Sequence, residues 1–267
     1  MRSITGQTNL LGVMGDPIEH SLSPVMHNAA LAALGSNFVY VPFLVAPTDL
    51  PCALDGLAAI GVRGFSVTIP HKQAILPLLS EISDVAQAIG AVNTVWRTEQ
   101  GWSGTNTDAE GFLAPLRSMP QNWHGAVAVI LGNGGAARAV VAGCAQLGFA
   151  EIHVIGRNPH RLDEFWQSWQ SSPWAKAVSV HPWDDIAPWI ARADLLVNST
   201  PIGMAPYADR SPLTAAETEQ ISPHTVAYDL IYTPNPTVFL QQIRERGGVA
   251  IDGLEMLVQQ GAAALQI

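Results

Sequence analysis

The feature that most constrains this chain lies near its middle. An apolar run from Ala126 to Leu131 breaks into Gly132-Asn133-Gly134-Gly135-Ala136-Ala137-Arg138 and continues as a helix-like stretch. The next strand ends at Arg157, about 25 residues on, at a βαβ spacing. The order is strand, phosphate-cradling turn and helix. Glycines let a backbone approach a pyrophosphate, and the helix N-terminus offers it free N–H groups and the positive end of a dipole. A dinucleotide unit placed second in the chain assigns the segment before it to the substrate.

Composition agrees with a layered α/β protein. At 267 residues the chain fits one large domain or two modest ones. Its 48% apolar and 13% charged content and mean hydropathy of +0.19 suit parallel strands covered on both faces. A net charge of −9 and the lack of a Lys/Arg cluster oppose binding to a phosphate backbone, so nucleic acid is not an expected partner. Residues 1–9 lack signal-peptide features and no apolar run reaches the ~18 residues of a membrane span, so the cytoplasm is the expected compartment. Cys52 and Cys144 are isolated, have no metal-ligand spacing and read as small core residues. No metal is expected.

Along the chain, strands are expected at Leu10 to Met14, Phe38 to Val45 and Gly64 to Pro70, with helices at Pro24 to Leu34 and Leu50 to Ile60. Such alternation predicts a mostly parallel sheet. A break falls at Met119 to Gly125. Strands follow at Ala126 to Leu131, Glu151 to Ile155, Ala177 to Val180, Ala193 to Asn198 and Thr225 to Leu230, with a helix at Arg161 to Gln170. The tail, Leu254 to Leu265, reads as a helix that stops at Ile267 without a capping signal, as a truncated longer helix would.

An NAD site usually carries an acid at the end of its second strand, where this chain has Gly156-Arg157-Asn158-Pro159-His160-Arg161. Arg157 and Arg161 fit a 2′-phosphate, which favours NADP over the alternative that both are solvated helix-start residues. Two upstream stretches are too polar for core. In Gly15 to Asn28, Ser23 before Pro24 reads as a helix N-cap, which leaves Ser21 unexplained. In Ser66 to Lys72, a strand end presents Thr68 and Lys72 where open α/β sheets bind ligands, although a lysine after a proline is ordinary on a surface.

Taken together these stretches resemble the shikimate dehydrogenase family nearly end to end. The SxS stretch matches Ser21-Leu22-Ser23-Pro24, xVTxPxK matches Ser66 to Lys72, and GAxNT matches Gly90 to Thr94. NTDxxGF matches Asn106 to Phe112, and GxGGAxR matches the glycine turn. Asn198 to Met204, Tyr228 to Tyr232 and Asp252 to Leu257 complete the order.

The resemblance implies two α/β domains about a cleft, the second a Rossmann-type doubly wound parallel sheet. The expected division is residues 1–105 for substrate, with 252–267 returning to them, and 106–251 for NADP. It implies reversible reduction of 3-dehydroshikimate to shikimate with NADPH, and Lys72 and Asp108 as the catalytic pair. A ketone gaining hydride at carbon needs a proton donor at oxygen, a role Lys72 can fill, with Asp108 orienting Lys72 and the adjacent hydroxyl.

Substrate positions fall by resemblance on Ser21, Ser23, Thr68, Asn93, Asp108, Tyr232 and Gln260, a set rich in hydroxyl and amide groups. Tyr232, beside Pro234, equally suits turn packing. Cofactor positions fall on Gly132, Asn133, Gly134, Gly135, Ala136, Arg157 and Arg161, with Leu230 and Gly253 on the nicotinamide side. Leu230 equally suits a strand-end core position. A homodimer is carried as a further expectation.

The chain departs from the family pattern at Ser66, usually Asn, at Gly156 and Asn158, usually Asn and Thr, and at Asn133, usually small. The alternatives are a quinate/shikimate enzyme with relaxed cofactor use and a non-catalytic NADP-binding homologue. Retention of Lys72 and Asp108 argues against the latter.

Overall fold

The computed structural model describes residues 4–267. The chain divides into two compact units, one running to Thr107 and including Gln260–Ile267, the other Asp108–Gln259. Each has its own six-stranded sheet.

The first unit contains β1 (Asn9–Gly15), α1 (Ser23–Ala33), β2 (Phe38–Leu44), α2 (Leu50–Ala59), β3 (Val62–Val67) and α3 (His71–Ala74). It continues through β4 (Glu81–Ile82), α4 (Asp84–Ile89), β5 (Thr94–Thr98) and β6 (Gly101–Thr105). Its strand order is β2-β1-β3-β5-β6-β4. The sheet is mixed: β1 runs parallel to β2 and β3, whereas β5 runs antiparallel to β3 and β6. The hairpin β5–β6 corrects the expectation of simple βα alternation here. Its two strands are short and joined by Glu99-Gln100, so no helix-length segment separates them.

Alternation along β1 and β3 sends Met14, Phe65 and Val67 to a core shared with Leu50, Leu54 and Leu57 of α2. Val13 on the opposite face packs with Tyr40 and with Leu31 of α1. Leu265, from the end of the last helix, also packs there.

The second unit begins with α5 (Asp108–Ser118) and β7 (Val127–Leu131), followed by α6 (Gly135–Gln146), β8 (Glu151–Gly156), α7 (Pro159–Trp169) and β9 (Val178–Pro182). Then come α8 (Ala187–Ile190), β10 (Leu195–Asn198), α9 (Ala215–Thr218), β11 (Val226–Asp229), α10 (Val238–Glu245), β12 (Val249–Ile251) and α11 (Leu254–Leu265), whose residues from Gln260 on belong to the first unit. The order β12-β11-β10-β7-β8-β9 is parallel throughout and reverses direction between β7 and β10. That reversal is the switch point where doubly wound sheets bind nucleotides, and the glycine turn follows β7. The strands are apolar on both faces because helices cover both. Val129, Leu131 and Leu196 pack with Ile186, Ile190, Phe239 and Leu240.

One cysteine expectation is corrected. Cys144 is buried in α6, but Cys52 is exposed near the start of α2, where the buried face is carried by Leu50, Leu54 and Leu57.

Candidate functional site

In the first unit, backbone bonds gather the singled-out residues at one end of the sheet. Val67 N donates to Asn93 O at 2.7 Å, Val92 N to Lys72 O at 2.8 Å and Asn93 N to Thr105 O at 3.1 Å. The end of β3, the short α3 and the loop before β5 are thereby tied together.

Asn93 is buried at the centre of a side-chain network. Its Oδ1 accepts from Thr107 N at 2.7 Å and from Thr94 Oγ1 at 3.0 Å. Its Nδ2 donates to Thr107 Oγ1 at 3.0 Å and to Gln260 Oε1 at 3.4 Å. Asn93 and Gln260 thus meet in one network, which fixes Thr107, the residue before Asp108. Asp108 is buried at the first position of α5, where a helix dipole favours a carboxylate. Lys72 is half-buried in α3.

The hydroxyls behave differently from the capping expectation. Leu22, not Ser23, occupies the cap position of α1, and no side chain caps it. Ser21 Oγ instead accepts from Ser23 N at 3.3 Å. Relieved of a capping role, the Ser23 hydroxyl remains on a residue only 8% exposed. Neither Ser21, Ser23 nor Thr68 donates its hydroxyl to a protein acceptor among the described residues. Such a set of uncommitted O–H donors suits an acceptor-only group such as a carboxylate.

In the second unit the site is built from backbone. Gly132 has φ +104°, and a Cβ there would lie 2.8 Å from Ser199 Oγ, so only glycine fits. Ser199 reinforces the turn by donating from Oγ and N to Leu131 O at 2.7 and 2.9 Å. Gly134 is the cap residue of α6, and no atom lies within 4 Å of where a Cβ would stand on it, so backbone is open there to an incoming group.

Gly135 and Ala136 follow in the first helical turn, whose N–H groups no side chain caps. The side chain of Asn133 turns onto β8: its Cγ is 3.2 Å from where a Gly156 Cβ would stand, and its Nδ2 is buried without a hydrogen-bond partner. Arg157 and Arg161 are exposed. Asn158 has a local task, capping α7 by accepting from Arg161 N at 3.1 Å. Open amides, an orphaned amide donor and two exposed guanidinium groups fit the pyrophosphate and 2′-phosphate of NADP. Arg138, by contrast, is structural: its guanidinium lies 4.9 Å from the Phe165 ring and donates to Ser168 Oγ at 2.8 Å, clipping α6 to α7.

Leu230 and Gly253 meet directly. A Cβ on Gly253 would collide with the Leu230 carbonyl, and Gly253 N donates to Ile231 O at 3.1 Å. Leu230 is half-buried, as is Tyr232 two residues on.

The loop carrying both is set by a network that sequence reasoning missed. Asp229 accepts from Asn198 Nδ2 at 3.0 Å, from Ile231 N at 3.1 Å and from Thr237 Oγ1 at 2.6 Å. Burial pushes its carboxyl up to about 6 against these three bonds, which favour the charged form. Asn198 and Asp229 lay in quoted motifs, but nothing in their spacing tells that they touch across β10 and β11.

Comparisons with known proteins agree with this geometry. Residues 13–95 match the family described as shikimate dehydrogenase substrate binding domain. The chain is 65% identical over 265 residues to the shikimate dehydrogenase (NADP(+)) of Nostoc sp., covering 99% of this chain and 92% of that protein. Among solved structures, the shikimate 5-dehydrogenase of Thermus thermophilus in complex with NADP(H) and shikimate superposes with TM-score 0.83 at 35% identity, covering 97% of this chain and 92% of that one. The quinate dehydrogenase of Corynebacterium glutamicum in complex with NAD gives TM-score 0.86 at 30% identity, covering 97% and 93%. With 65% identity to such an enzyme across 99% of its length, this chain belongs to the shikimate dehydrogenase family.

Proposed function

We propose that this protein catalyses the NADP-dependent, reversible reduction of 3-dehydroshikimate to shikimate. The observation that carries the reading is the 65% identity, across 99% of the chain, to a shikimate dehydrogenase (NADP(+)). NADPH, when bound, supplies the hydride. The division of labour is substrate on residues 1–105 and 252–267, and nucleotide on 106–251.

In this reading Ser21, Ser23 and Thr68 hold the carboxylate with hydroxyls that have no competing protein acceptor among the described residues. Asn93, Asp108, Tyr232 and Gln260 read the ring hydroxyls, which both donate and accept. Lys72 stabilises charge on the carbonyl oxygen and supplies its proton, and Asp108 orients the neighbouring hydroxyl and the ammonium. Gly132, Asn133, Gly134, Gly135 and Ala136 hold the pyrophosphate, Arg157 and Arg161 the 2′-phosphate. Leu230 and Gly253 line the nicotinamide side. A homodimer in the cytoplasm is the assembly and compartment proposed.

Similarity to the quinate dehydrogenase supports a second reading, quinate oxidation with relaxed cofactor use. Initial rates with shikimate and quinate under NADP+ and NAD+ separate the two. A clear preference for quinate or for NAD+ would sink the first, and tight NADPH binding without turnover would point to a non-catalytic homologue.

A further inference from the structure

The polar end of the first sheet contains a hydrogen bond that none of these roles uses. The phenol of Tyr40 in β2 donates to Ser66 Oγ in β3 at 2.8 Å. Since β1 runs between these strands, the phenol reaches over Val13, the register partner of Ser66. Val13 and Tyr40 pack with Leu31, which places this bond on the sheet face covered by α1. Ser66 lies opposite Thr94 of β5 and two residues before Thr68, so its side chain shares a face with both.

Tyr40 is itself clamped. His27 stacks on its ring, centroids 4.2 Å apart and planes 11° from parallel. Asn28 Nδ2 donates to Tyr40 O at 2.7 Å, and Asn28 Oδ1 accepts from Tyr40 N at 3.0 Å. His27 stands one turn after Ser23 on the buried stripe of α1.

The direction of the Tyr40–Ser66 bond follows from acidity. A phenol is a stronger acid than an aliphatic hydroxyl, so Tyr40 donates and Ser66 accepts. Burial pushes the phenol further up, which keeps it protonated. The Ser66 oxygen is then engaged, and its own proton goes to no protein acceptor among the described residues.

We propose that Tyr40, held by His27 and Asn28, is a positioning residue that occupies a lone pair of Ser66 and so turns its hydroxyl proton toward the substrate carboxylate, beside Ser21, Ser23 and Thr68. The inference rests on the shikimate reading above. An unrestrained serine presents either a proton or a lone pair, and a lone pair repels a carboxylate. By filling one of the two lone pairs, Tyr40 biases Ser66 toward donating without touching the ligand.

The test uses Tyr40→Phe and Ser66→Ala in the full chain, with steady-state rates and calorimetric binding of shikimate and of its methyl ester. Ser66→Ala is expected to raise the shikimate KM and Kd about 10-fold, the order of a lost hydrogen bond to a charged group, and Tyr40→Phe about threefold. The kcat and the NADP+ KM are expected to stay within about twofold, the signature of lost uniform binding. The methyl ester is expected to lose less than about twofold in Ser66→Ala, because its neutral carbonyl gains less from a donor. The double variant is expected to bind no worse than Ser66→Ala, since Tyr40 acts through Ser66.

Unchanged shikimate Kd in both variants overturns the proposal, as do equal losses for acid and ester or additive losses in the double variant. Ser66→Cys repeats the measurement should Ser66→Ala not fold. If the unmutated protein binds shikimate but does not oxidise it, the functional reading fails while the calorimetric contrast still decides this one.

Discussion

The two units offer a ligand different materials. The second presents backbone: glycines at fixed spacing, a bare helix N-terminus and a turn braced by Ser199. The first presents side chains gathered from α1, β3, α3, the loop before β5 and the last turns of α11, oriented by hydrogen bonds of their own. A backbone site depends on conformation, so its tolerance is set by φ and by space. A side-chain site depends on which atoms are already committed, and its tolerance is set by hydrogen-bond partners.

The contrast is broken most severely at the chemistry. Lys72→Ala is expected to cut kcat by about 100-fold or more, within the range for a lost acid–base group, with a much smaller change in shikimate KM. A rate within a few-fold of the parent would remove Lys72 from its role.

Next in size is the backbone site. Gly132→Ala forces a left-handed position and a close contact with Ser199, and about 10-fold or more weaker NADP+ binding is expected from strain of ~1–3 kcal/mol. Calorimetric binding of shikimate alone checks that the side-chain site survives, and parallel loss of both would show that the two are not separable.

A finer effect concerns Asn133 and Gly156. A Cβ at Gly156 would stand 2.8 Å from Leu162 Cδ2 and 3.2 Å from Asn133 Cγ. Gly156→Asn alone is therefore expected to weaken NADP+ binding several-fold, at about 1 kcal/mol of overpacking. Adding Asn133→Gly should recover much of the loss, as measured by NADP+ Kd. Additive losses would mean that the two positions do not share one space.

The smallest effect is on stability against pH. Burial lowers His27 to about 4, with Tyr40 stacked on it and Met26 and Gly261 beside it. A histidine depressed below its unfolded value near 6.5 stabilises the fold fully above that value, and the contribution is lost as pH falls toward 4. Between pH 7 and 5.5 this amounts to about 1 kcal/mol. His27→Gln is expected to flatten the fall of Tm over that range relative to the parent, and an unchanged slope would assign it elsewhere. His153 in β8 is lowered in the same direction by burial and contributes its own acid sensitivity in the second unit.

Much of the second unit was legible because its determinants are local. Apolar runs, helix-length spacers and Gly132 to Gly135 act within a few residues, so the parallel alternation could be read in order. Less of the first unit was legible. Thr94 to Thr98 and Gly101 to Thr105 form a hairpin too short to register between two polar motifs. Ser23 looked like a cap because serine before proline usually is one, yet α1 begins at Ser23 itself with Leu22 at the cap position, and Ser21 Oγ accepts from Ser23 N. Asn198 and Asp229 stood in quoted motifs without a role until β10 and β11 brought them to 3.0 Å.

By itself the sequence determined the class of fold, the place of the glycine turn and the family, since these follow from periodicity, glycine spacing and the order of short motifs. Tertiary structure alone decided which hydroxyls are uncommitted, that Asn133 fills the space above Gly156, and that Tyr40 reaches Ser66 across β1. The physical reason is range: backbone preference acts between chain neighbours, whereas the direction of a buried hydrogen bond depends on partners that packing brings together from 26 residues away, as for Tyr40 and Ser66, or from 167, as for Asn93 and Gln260.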